Sequence, residues 1–80
     1  MSGHAQVRGL QRFGFNFDSQ KVDQFVARAL SETEVAKKWA ISISHLNSEL
    51  ITLIGRGYQV ITILEPEMAF QADIYKKIEV

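Results

Sequence analysis

Apolar residues recur along the chain with more than one period. Between Gln6 and Phe17 they alternate: Phe13, Phe15 and Phe17 are separated by Gly14 and Asn16, which puts all three rings on one face of a strand predicted over 6–17. From Ser19 the period lengthens. Val22, Phe25, Val26, Ala29 and Leu30 follow the i, i+3, i+4, i+7, i+8 rule and predict an amphipathic helix over 19–30, with Asp18 or Ser19 as its cap. Ser31 and Glu34 then stand at capping-box spacing. A second helix is expected from about residue 32, carrying Val35, Ala36, Trp39 and Ala40.

Three readings fit the stretch from there to Gly57. A single helix over 32–55 lines up Val35, Ala36, Trp39, Ile43, Leu46, Leu50, Leu53 and Ile54 on one side, but strands Ile41 among Lys37, Ser48 and Thr52. A break at 41–43 turns Ile41 into the core and lets Ser42 or Ser44 cap a fresh helix to about 56. A strand over WAISIS (39–44) also fits, because that stretch alternates and is rich in isoleucine. The broken helix is preferred here. Gly55-Arg56-Gly57 closes it, since glycine tolerates the left-handed backbone of helix ends. Residues 58–64, YQVITIL, are rich in β-branched side chains and predict a strand. Glu65-Pro66-Glu67 predicts a turn. Phe70, Ile74 and Ile78 favour a helix over 67–77 by their spacing of four, although Ile74, Ile78 and Val80 also alternate as in a strand. Residues 1–5 are small and polar and are expected to form a loose arm on a single domain, 1–80.

Composition narrows the class. Apolar residues are 46% and charged residues 22% of the chain, which suits a folded domain rather than a disordered tail. An 80-residue domain has a thin core, so a second copy would help it. No cysteine is present, which rules out disulfides and cysteine zinc sites. No apolar run is long enough to span a bilayer, so a cytoplasmic protein with no membrane partner is expected. The nine basic and nine acidic residues cancel overall. Residues 1–30 carry Arg8, Arg12, Lys21 and Arg28 against Asp18 and Asp23, and the remainder is net acidic. Neutrality weighs against nucleic acid, whose phosphates supply most non-specific affinity.

The broken-helix reading resembles the winged helix-turn-helix regulators. The residues that carry the resemblance are Val35-Ala36, Trp39, Ala40, Ile41, Ser42 and Leu46, followed by Leu50, Leu53 and Arg56-Gly57-Tyr58. The pattern departs at Ala40, where glycine is usual, and at Ile43, where a polar residue is common. The resemblance implies a small α+β winged-helix-like domain. It would have an N-terminal strand, three helices including the helix-turn-helix, a wing strand and a C-terminal helix or strand. It further implies a DNA-binding transcriptional regulator, a repressor of the phage, plasmid or mobile-element type, acting as a homodimer on double-stranded DNA. Helix 43–56 would then enter the major groove with Ser44, His45, Asn47, Ser48 and Thr52 toward the bases. Lys37, Lys38, Arg56, Arg28 and Lys21 would neutralise phosphates. The same polar residues also fit the solvated side of an amphipathic helix.

Other chemistry finds little support. Arg12-Phe13-Gly14-Phe15-Asn16-Phe17 is similar to the aromatic strand of RNA-recognition and cold-shock domains, but the rest of the chain does not match either. His4 and His45 lack further ligands at metal spacing, so no metal or cofactor is expected. Glu65 and Glu67 flank a proline as carboxylates on a turn usually do. Trp39 is expected in the core. No nucleophile elbow or phosphate loop is present, and an enzyme is not expected. The reading from a different class is a non-catalytic protein-interaction module that binds, caps or inhibits a larger protein. The dimer surface is expected from the N-terminal strand or from Phe70, Ile74, Tyr75 and Ile78.

Overall fold

A computed structural model describes residues 1–14 and 16–80. Three short helices, α1 (Gly3–Phe13), α2 (Ser19–Ala29) and α3 (Glu32–Val35), precede four strands, β1 (Lys38–His45), β2 (Ser48–Arg56), β3 (Gln59–Leu64) and β4 (Ile74–Glu79). The strands form one sheet in the order β3-β2-β1-β4. β1/β2 and β2/β3 are antiparallel, and β4 lies parallel to β1.

Residues 6–13 of the strand expected over 6–17 are helical instead, and the expected arm supplies the cap and the start of that helix. Ser2 caps α1 by accepting from the Ala5 amide at 3.0 Å, and Gly14 ends it at φ 76 with its amide on the Leu10 carbonyl. Ala5 and Gly9 are the buried positions, with Phe13 partly buried one step of four further on. These residues are too small to register as an apolar face, which is why the aromatic alternation dominates the sequence. Phe13 and Phe17 meet edge to face at 5.9 Å. Phe15 lies outside the described residues. Gly9 has to be small: a Cβ there would sit 2.5 Å from the Phe17 ring.

α2 forms where its period predicts, and Asp18 caps it by accepting from the Lys21 amide. The capping box is also present, with Glu34 N donating to Ser31 Oγ at 3.3 Å and Ser31 N to Glu34 Oε1 at 2.9 Å. It starts only one helical turn. Strand β1 takes over at Lys38, because Trp39 and Ile41 bury fully on one face while Ala40 and Ser42 bury on the other. The WAISIS alternation is therefore a real strand period. No helix-turn-helix occupies 33–58, and the winged-helix architecture is corrected to an α+β domain built on a mixed sheet. The helix expected over 32–40 stops after Val35, and the helix expected over 43–56 does not exist. Its place is taken by a hairpin whose two loop residues, Leu46 and Asn47, have φ of 50° and 65°. Positive φ at both loop positions is the mark of a type I′ turn, whose twist matches that of the flanking strands.

Gly55 pairs across the sheet with Trp39, whose ring lies over it; a Cβ at Gly55 would meet that ring at 2.4 Å. The Trp39 indole N–H donates to the Gly57 carbonyl at 2.8 Å. Gly57, at φ 64, opens the β2–β3 hairpin rather than ending a helix. β3 and the turn at 65–67 form as predicted, the turn closed by Met68 N on the Glu65 carbonyl. The favoured helix over 67–77 is absent. After the turn, a segment over 68–73 leads to β4, and its Ala72 packs on the buried Ala40, Ile54 and Leu64. The other face of the sheet carries Trp39, Ile41, Leu53, Val60 and Ile63 against Ala5, Val26, Leu30 and Val35. Ile74 and Ile78 pack on that same core as alternate positions of a strand, with Lys76 between them.

Candidate functional site

The residues expected to read and clamp DNA do not form one surface. Ser44, His45, Asn47 and Ser48 gather at the β1–β2 hairpin tip, where His45 Nδ1 is hydrogen-bonded to the Val80 carbonyl at 2.7 Å. Lys37, Lys38 and Arg56 gather at the opposite end, with Lys38 paired to Arg56. Six residue steps along β1, roughly 20 Å, separate Lys38 from Ser44. Thr52 is buried and hydrogen-bonded to Ser42 at 2.9 Å, so it reaches nothing outside. Arg28 is exposed in the last turn of α2, outside the sheet that carries the other residues. Glu49, Glu65 and Glu67 line a groove with Pro66 and Met68, and Glu49 is next to Ser48 at the start of β2. Carboxylates beside the hairpin repel phosphate. The leucines assigned to one helix side fall on opposite faces of β2: Leu53 is in the core and Leu50 is exposed.

The two edges of the sheet differ in kind. Along β3, helix α1 covers the edge: the carbonyls of Val60, Ile61 and Ile63 accept from Ser2 N, Ser2 Oγ and Arg12 Nη1 at 2.9, 3.1 and 2.6 Å. Such covering removes an exposed template for strand pairing. β4 has no such cover among the described residues. The bond from Val80 N to the Ser44 carbonyl sets the phase of the β1–β4 ladder. That phase leaves the backbone N–H and C=O groups of Tyr75, Lys77 and Glu79 on the outer side.

Side chains shape this edge further. Tyr75 stacks on Phe70 with centroids 5.6 Å apart, and both rings are exposed at their outer surface. The Tyr75 hydroxyl donates to Ser42 at 3.1 Å, which joins it to the buried Ser42–Thr52 pair. On the helix side Lys76 forms an ion pair with Glu34 at 3.0 Å and donates to the Ala29 carbonyl at 3.0 Å. The Ser31 amide, then Lys76, hold the Glu34 carboxyl down to about 2. Lys76 is thus drawn inward, away from the edge. Of the segment that sequence reasoning offered as a dimer surface, Ile74, Tyr75 and Ile78 lie in this strand and Phe70 in the stretch before it. What it missed is that the backbone, and not only the side chains, is on offer there.

No helix is long and apolar enough to cross a membrane among the described residues. The chain matches no protein-family model, no curated protein and no solved structure.

Proposed function

We propose that this chain is a non-catalytic protein-interaction module that joins a partner by adding an extended strand to the outer edge of β4. One observation carries the reading: β3 is covered by α1 through three carbonyls, whereas β4 leaves the groups of Tyr75, Lys77 and Glu79 unmet. Strand addition gives affinity through main-chain hydrogen bonds and specificity through alternate side chains. The DNA reading loses its support with the recognition helix, the dispersal of its cations and the neutral charge.

The chain's own β4 is a suitable partner strand. Two copies in antiparallel register about Ile78 set Lys77 opposite the partner's Glu79 twice, and Ile78 against its equivalent. Opposite charges facing across strands stabilise such a pair, and like charges weaken it. The expected homodimer has an eight-stranded sheet with both helical layers on one side. Light scattering over a concentration series should show a dimer for the parent. Lys77→Glu or Glu79→Lys alone should give monomers, and the two together should restore the dimer. A parent that remains monomeric at millimolar concentration, or single and double variants that associate alike, overturns the reading.

A further inference from the structure

A second feature is independent of the β4 edge. Between α2 and the upper half of the β1–β2 hairpin lies a partly open cavity of about 170 Å³. Its floor is Ile43, Ile51 and Leu53, the first two paired across the strands. Its walls are Phe17, Val22 and Phe25, and the exposed surface inside is carbon throughout. Apart from Leu53, these side chains point at the core yet are only partly buried. They form an apolar layer that the other described residues do not fill.

Lys21, in the first turn of α2, is the one charged residue in the lining and meets the hollow through the carbon of its stem. Among the described residues no carboxylate pairs with its ammonium; Asp18 accepts from the Lys21 backbone amide, and Asp23 takes the Met1 amine. An apolar hollow with one cationic side chain in its lining is complementary to a ligand with a hydrocarbon body and a single negative end. We propose that this cavity binds the hydrocarbon end of a small carboxylic acid, with the carboxylate on Lys21. A cavity of about 150 Å³ lined by aliphatic and aromatic carbon accepts benzene, so this one suits a chain or ring of roughly six to eight carbons. A charge-assisted hydrogen bond between ammonium and carboxylate then fixes which end faces out.

Octanoate, octanol and octylamine, each below its micellar range, are the probes, followed by the methyl NMR signals of Ile43 and Ile51. Octanoate should shift both signals saturably, octanol more weakly, and octylamine weakest of all. Lys21→Gln should weaken octanoate about tenfold while leaving octanol unchanged, the size of one charge-assisted contact at a rim. Ile51→Phe, which fills the hollow, should abolish binding of both, with circular dichroism confirming an intact fold. Absence of saturable shifts with octanoate in the parent overturns the proposal. So does equal binding of octanoate and octylamine, or a Lys21→Gln protein that binds octanoate like the parent. Ile51, on the strand away from β4, reads binding apart from the association state tested through Lys77 and Glu79.

Discussion

Replacing Leu46 by asparagine should make the protein more stable, although leucine is the more apolar residue. Leu46 occupies the first loop position of the β1–β2 hairpin at φ 50 and is 75% exposed. A left-handed backbone costs an ordinary L-residue about 1–2 kcal/mol, and asparagine much less because its short polar side chain is tolerated there. Against that gain stands the covered quarter of the leucine side chain. Full burial of leucine is worth about 1.5–3 kcal/mol, so a quarter is worth about 0.5 kcal/mol. The net expectation is a gain of roughly 0.5–1 kcal/mol, which in a domain of this size raises Tm by about 2–8 °C. Thermal and urea unfolding of the parent, Leu46→Asn and Leu46→Ala measure it. Alanine retains the Cβ and loses the contacts, so it should be neutral or mildly destabilising. The argument fails if asparagine destabilises as alanine does, because the leucine would then be held by contact rather than tolerated against strain. An unchanged urea m-value is needed for the comparison to report the folded state.

Two further outcomes rest on the packing and the electrostatics. Gly55→Ala would drive a methyl into the Trp39 ring and the Gln59 carbonyl, and should cost about 1–3 kcal/mol as overpacking, read as a lower urea midpoint. Glu34 has its folded pKa lowered from 4.5 to about 2, by the Ser31 amide first and by Lys76 after it. A depressed carboxyl contributes stability that is present above 4.5 and lost as pH falls toward 2. The stability difference between the parent and Glu34→Gln should therefore be constant from pH 7 to about 5 and shrink below that. A difference that does not change across this range would show that the carboxylate's charge is irrelevant.

How far the sequence revealed this molecule depends on which contacts decided each element. α2 was legible because its five apolar positions fit one helix face and no other period. The Ser31–Glu34 box was legible because it is local, but it fixed where a helix begins and not how long it runs. Its length was decided by Trp39, which has to reach Gly55 and Gly57, eighteen residues on in the latter case. The leucines and isoleucines of 43–54 fit a helix stripe and a hairpin equally well by composition. The pairing of Ile43 with Ile51 and Ile41 with Leu53 settled the matter, and such pairing leaves no trace in either strand alone. Ile74 and Ile78 show the same ambiguity, since a spacing of four lies on one face of a helix and also of a strand. α1 was missed because its buried face is Ala5 and Gly9. Of the candidate site, the strand was legible as an apolar segment suited to a dimer. Its open backbone was not, because an edge is defined by what fails to cover it.

The parallel seam between β1 and β4 has a consequence for how the chain reaches its final state. β1, β2 and β3 are joined by two-residue loops, whereas Trp39 meets Ile74 only after roughly 35 residues, so closing that seam carries the larger entropic cost. By that cost the three-stranded meander is expected to form first, from local contacts, and β4 to join it late. It is then buttoned down by Lys76 on Ala29 and Glu34. Two nascent molecules can therefore trade their final strands before either is sealed.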